Sequence, residues 1–171
     1  MKKVIFAFIT VSILLSACSE DVAEVNEIKK AHEELRNNPE LAEENFLSET
    51  IEATVEIDNN LDELELLLNE MSIEDPSWKM DISLIAMSFS TSWNTFIINR
   101  DFLTSEQRNK YTDTLENYLK FMEDVDLLGE DLSAAMETYD ERELLNIKNQ
   151  IASLKTNLQI SKEKLDIERY E

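Results

Sequence analysis

In 171 residues the chain has one glycine, two prolines, one cysteine and one histidine. Each shortage removes a class of protein. Tight turns and left-handed backbone positions favour glycine, and strand-rich folds are punctuated by Gly and Pro. A lone Gly129 therefore argues against a sandwich, a barrel or a doubly wound nucleotide-binding fold. The same scarcity leaves no phosphate loop, no dinucleotide-binding turn and no Gly-x-Ser-x-Gly elbow. A single histidine, His32, cannot supply the two Glu-x-x-His motifs of a di-iron bundle or the histidines of a zinc site. A Ser-His-Asp triad would have to use His32, and no nucleophile motif lies near it. On an otherwise apolar face, His32 reads as a packing or boundary residue.

Basic residues are also few: 16 against 37 acids, a formal net charge of -21. Phosphate binding needs clustered Lys and Arg, so nucleic acid is disfavoured as a partner. Direct electrostatic docking of the domain onto anionic lipid is disfavoured for the same reason. Hydrophobic residues make up 43% of the chain, too many for a disordered acidic tail. What remains is an all-α protein, one domain with its own core and short connections.

What is present begins at the N-terminus. Lys2 and Lys3 precede an apolar stretch from Val4 to Leu15, interrupted only by Thr10 and Ser12. Spanning a bilayer takes about 20 apolar residues, so this stretch is short for a transmembrane helix and fits the hydrophobic part of a signal peptide. Leu15-Ser16-Ala17-Cys18 follows. The order of charged start, apolar core, Leu, small pair and sole cysteine resembles the lipobox of bacterial lipoproteins. That resemblance covers the first 18 residues or so. It implies removal of residues 1–17, diacylglyceryl transfer to the Cys18 thiol, and a mature domain over 18–171 held outside the cytoplasmic membrane. Two acyl chains anchor stably where one does so only marginally. A lipidated Cys18 would also leave no thiol for disulfides, catalysis or metal binding.

Apolar spacing and caps predict five helical segments in the mature chain. The first covers about 20–37, with Val22, Val25, Ile28, His32 and Leu35 on one face. Asn38-Pro39 ends it and starts the second, whose stripe reads Leu47, Ile51, Val55, Leu61, Leu64, Leu68 and Met71, with an interruption at Asp58. Asp75-Pro76 opens the third. Thr104 and Gln107 read as a capping box that opens the fourth, and Gly129 sits where a left-handed C-cap would end it. The last segment, about 131–169, carries a heptad seam of Leu144, Ile147, Ile151, Leu154, Leu158, Ser161 and Leu165, with a break near Tyr139. The expected architecture is an antiparallel bundle of four to five amphipathic helices ending in a long coiled-coil-like helix, whose Leu144–Leu165 seam could also serve self-association.

Charge is unevenly spread. Residues 20–75 carry 19 acids and 3 bases, whereas residues 142–171 carry 5 acids and 6 bases. Two readings follow: the final helix packs beside the acidic second helix and relieves its repulsion, or the acidic face awaits a basic partner. Glu123-Asp124-Val125-Asp126 resembles a calcium loop only loosely, lacking its glycine and terminal glutamate, so no metal is assigned.

The third helix is unusual. Ile82 to Asn99 contains 18 residues without a charge, including Phe89, Trp93 and Phe96 among many small hydroxyls. With only 10 apolar residues it is a poor membrane span. It reads first as a central helix packed on several sides, and second as an aromatic groove in which Trp78, Phe89, Trp93 and Phe96 would contact a ligand or peptide. The sequence thus points to a lipid-anchored, extracytoplasmic, non-catalytic interaction or accessory protein without a cofactor. Its partner would be a protein, peptide or envelope polymer. The alternative is a small-ligand or peptide-binding module of an uptake or sensing system.

Overall fold

The computed structural model describes residues 22–138 and 140–165. The Leu15-Ser16-Ala17-Cys18 motif, Tyr139 and the last six residues lie outside that range. The described chain forms six helices: α1 (Val22–Asn37), α2 (Pro39–Glu70), α3 (Pro76–Phe102), α4 (Ser105–Lys110), α5 (Thr112–Thr138) and α6 (Glu141–Leu165). The protein is an all-α helical bundle.

Capping chemistry sets most of the boundaries. Asn38 Oδ1 accepts from Leu41 N at 3.2 Å, and Pro39 fills the first helical position, where its missing N–H costs nothing. Asp75 does the same for α3, accepting from Ser77 N at 2.9 Å ahead of Pro76. Thr104 and Gln107 form the expected reciprocal capping box. The helix it opens is only six residues long, because the chain breaks at Tyr111 before resuming as α5. This break is why six helices replace five. Asp140 accepts from Arg142 N at 2.8 Å at the start of α6, next to the break expected near position 139.

The sole glycine plays a different part from the expected one. Gly129 lies inside α5, buried, with helical dihedrals. A Cβ built there would meet Ala86 O at 3.0 Å, Phe89 Cβ at 3.3 Å and Ser90 Oγ at 3.4 Å, all on α3. Gly129 thus lets α5 and α3 approach closely and ends nothing. The left-handed cap falls instead on Met71, at φ 30°, whose N–H returns to Leu67 O at the end of α2.

Four helices form the body. α3 packs on α2 and α5, and α6 packs on α5 and returns to α2, so the four enclose one core with α2 and α5 on its diagonal. The short 71–75 and 139–140 connections make sequential neighbours antiparallel. The heptad seam of α6 faces this core: Leu144, Ile147, Ile151, Leu154, Leu158 and Ser161 are all buried within the single chain.

The stripe of α2 departs from the sequence reading in its first half. Val55 is exposed, and Leu47 and Ile51 are only half-buried. The buried row is Phe46, Thr50, Ala53, Thr54 and Ile57, continuous with Leu61, Leu64 and Leu68. Thr54 can occupy it because Tyr118 and the Thr50 carbonyl pair its hydroxyl. Thr54 Oγ1 donates to Thr50 O at 2.6 Å and lies 2.8 Å from the buried Tyr118 hydroxyl of α5. Beside this group the rings of Phe46, Phe96, Tyr118 and Phe121 pack in series, with centroids 5.1–5.8 Å apart.

Candidate functional site

The four aromatic residues singled out on α3 are not brought together in a groove. Trp78 is buried near the start of the helix, and its Nε1–H donates to Leu67 O at 2.8 Å, closing the end of α2. Phe89 is fully buried against the core, and Phe96 sits between Phe46 and Tyr118. Trp93 alone of the four is partly exposed, 6.4 Å from Phe96 between ring centroids.

Among the described residues α3 packs mainly against α2 and α5, with one face left outward. Its two flanks are fixed by short contacts. On the α2 side, Asn60 Nδ2 donates to Ser88 Oγ at 2.8 Å, Ser88 Oγ donates to Glu56 Oε1 at 2.6 Å, and Asn45 Nδ2 donates to Asn99 Oδ1 at 2.8 Å. On the α5 side, Ala86 and Ser90 meet Gly129. The third side faces outward. There Met80, Leu84 and Met87 remain 60%, 55% and 61% exposed, and Ile98 continues the row. Spacings of four and three put the first three on one helical face. Between them and Ile98, Thr91 Oγ1 donates to Met87 O and Asn94 Nδ2 to Ser90 O, so these polar groups turn back onto their own helix.

The sequence reading missed this face because it sorted α3 into a single apolar stripe. The signal was present: Met80, Leu84 and Met87 lie opposite Ile82, Ile85 and Phe89, and a helix apolar on both sides is either fully enclosed or carries an open apolar face. Helix periodicity does not choose between those cases. The number of neighbours does.

α2 carries the densest acid, and the ion pairs described along its second half all come from α6. Lys155 of α6 lies 2.7 Å from Asp62 and also pairs with Glu65, while Lys162 pairs with Asp58. Burial lowers the pKa of the Lys155 ammonium, but its two carboxylate partners outweigh that and raise it. The other long side of α2 meets α3 through Asn45, Glu56 and Asn60, against neutral Asn99 and Ser88. Glu49 and Glu52 lie on the same side as Glu56 by helical spacing. Burial, then the nearby Glu52, raises the pKa of Glu49 above the usual carboxylate value. The α2–α3 border is therefore a strip of negative potential.

A polar cluster at the other end of α2 serves a structural role. Glu43 accepts from Lys110, from the Tyr111 hydroxyl and from Gln107 Nε2 at 3.1 Å. These donors, Lys110 first, hold its pKa down to about 2. Gln107 also donates to Pro39 O at 2.7 Å, so the cluster latches α4 onto the start of α2. His32 of α1 is half-buried, its ring 5.1 Å from that of Phe102, and burial followed by Arg36 lowers its pKa. It packs at the boundary between α1 and α3.

Among the described residues, no group of three or more His, Cys, Asp or Glu side chains is placed to hold a metal ion, and no helix is long and apolar enough to cross a membrane. What fold and surface together define, among the described residues, is an acidic helical bundle with an open apolar row on the outer face of α3. Comparison with known families, with characterised proteins and with solved structures finds no match.

Proposed function

We propose that this protein is a lipid-anchored lipoprotein acting outside the cytoplasmic membrane, where its helical bundle presents faces to a protein, peptide or envelope-polymer partner without catalysing a reaction. The observation that carries the anchoring is the order of Lys2-Lys3, the apolar stretch and Leu15-Ser16-Ala17-Cys18, with Cys18 the sole cysteine. The chain is already helical at Val22, the first described residue and four positions after Cys18 in the sequence, so on this reading the bundle is held close to the membrane surface. Its acidity discourages it from lying down on anionic lipid. An interaction role fits a bundle whose outer surface combines dense carboxylates with an open apolar row. A ligand module using Trp78, Phe89, Trp93 and Phe96 has less support, because three of those rings are buried against their own bundle.

The test is the intact mass and fractionation of the chain expressed in its own envelope. The expected mass begins at Cys18 and includes a diacylglyceryl group, and the protein partitions with membranes. Cys18→Ala should be released from them and lose any partner retained by the wild type. An unlipidated wild-type chain, or a Cys18→Ala chain that stays equally membrane-bound, would overturn the anchoring.

A further inference from the structure

We infer that the outer face of α3, built on Met80, Leu84 and Met87, is a docking strip for a cationic amphipathic helix. This rests on the interaction role proposed above and specifies the partner's chemistry. The three residues are 55–61% exposed and share one face, and α3 carries no charge from Ile82 to Asn99. An exposed apolar row in a chain of net charge -21 is a departure that solubility alone does not explain. Methionine suits such a face because its unbranched, polarizable side chain repacks around different partners.

The borders of the strip select the occupant. On the α2 side, Glu56 is fixed at the seam by Ser88, and Glu49, Glu52 and Glu63 lie on that same side by spacing. The lysines of α6 engage Asp58, Asp62 and Glu65, on the other side of α2, and leave this border acidic. On the α5 side, Asp126 lies one turn before Gly129, which touches Ala86 and Ser90, and the exposed Glu130 follows it. An apolar ridge between two acidic borders is complementary to a helix with apolar residues at i, i+3 or i+4, and i+7 and with Lys or Arg on its flanks. A second copy of this chain is a poor occupant, because two such strips face to face would bring like-charged borders together.

The full-length lipidated protein in zwitterionic-lipid nanodiscs would be titrated with a labelled 18-residue leucine–lysine amphipathic peptide, with empty nanodiscs as blank and a leucine–glutamate peptide as comparison. The combined Met80→Ser, Leu84→Ser and Met87→Ser variant keeps the net charge and alters only exposed side chains. It is expected to bind the cationic peptide at least tenfold more weakly at low salt. Leu66→Ser combined with Leu145→Ser, which removes two exposed leucines elsewhere, should change binding less than twofold. Added salt should weaken wild-type binding. Unchanged thermal unfolding verifies the fold of each variant, and the single substitutions should each weaken binding by a smaller factor if the triple variant unfolds. Equal binding by wild type and triple variant would overturn the inference, since charge alone would then account for it. So would wild-type binding no tighter to the lysine peptide than to the glutamate one, or a wild-type chain that sediments as a dimer while the triple variant is monomeric. None of these outcomes bears on Cys18 lipidation, which the mass measurement reads separately.

Discussion

The Tyr118 hydroxyl lies 2.8 Å from Thr54 Oγ1, joining α5 to α2 across the diagonal of the bundle. Both residues are buried, and Thr54 already donates to Thr50 O, so the tyrosine is the donor between them. Burial raises the pKa of the Tyr118 phenol, and its hydroxyl stays protonated at all ordinary pH values. Tyr118→Phe should cost about 1 kcal/mol by removing one net hydrogen bond. Thr54→Val should cost a similar amount, since Tyr118 keeps only Thr50 O at 3.3 Å. The double variant should cost less than the sum, because neither partner is left unsatisfied. Chemical denaturation of the four chains in a double-mutant cycle checks this, and strict additivity would show that the bond contributes nothing.

This pair also shows where the sequence was legible and where it was not. Caps at Asn38, Asp75 and Thr104 and the α6 seam from Leu144 to Ser161 depend on local chemistry or a clean heptad and could be read directly, and the placing of α6 beside acidic α2 was one of two readings that charge allowed. The first half of α2 could not. Its buried face contains Thr54, and only the position of Tyr118, 64 residues further on, explains why that hydroxyl is tolerated there while Val55 is left outside. Gly129 was misread for a related reason: a glycine within a helix serves close packing or a cap, and the choice is made by Ala86 and Phe89 on another helix. The outer row of α3 belongs with these, since its exposure depends on how many helices surround it.

Gly129→Ala offers a test of close packing against helix propensity. Alanine is favoured over glycine within a helix by about 1 kcal/mol. Here its methyl group would press on Ala86 O at 3.0 Å and Phe89 Cβ at 3.3 Å, atoms fixed to the α3 backbone that cannot rotate away. Overpacking costs roughly 1–3 kcal/mol. The substitution should therefore lower the unfolding midpoint, and Gly129→Val should lower it further. A Gly129→Ala protein more stable than wild type would mean that α3 and α5 separate at little cost.

The lysines of α6 should matter in proportion to how little salt is present. Lys155 and Lys162 meet Asp62, Glu65 and Asp58 on a strongly acidic helix, and their side chains are only 28% and 18% exposed. Lys155→Gln combined with Lys162→Gln should destabilise the protein by roughly 1–2 kcal/mol at low ionic strength, somewhat above isolated surface pairs because α2 repels itself once they are gone. Most of that difference should vanish by about 1 M NaCl, where the screening length is near 3 Å. Urea unfolding at both salt concentrations measures it, and a difference independent of salt would assign the effect to the packing of the lysine stems.

The latch at Glu43 gives a pH dependence of defined sign. Its pKa falls from an ordinary 4.5 to about 2 on folding, through Lys110, Tyr111 and Gln107. A depressed carboxylate pKa contributes stability that is present above the unfolded value and lost as pH falls through the folded one, here between about pH 4.5 and about pH 2. Because the cluster faces solvent, its contribution is roughly 1 kcal/mol. Six-residue α4 is too short to persist unaided, so the loss should appear locally before it appears globally. Glu43→Gln should speed amide hydrogen exchange in Ser105–Lys110 relative to wild type at pH 6, while the core of α5 is little changed. As pH drops from 4.5 to 2, wild type should approach the variant, since its own Glu43 becomes neutral. Variant and wild type exchanging alike at pH 6 would mean that the capping box and Pro39 contact hold α4 without the carboxylate.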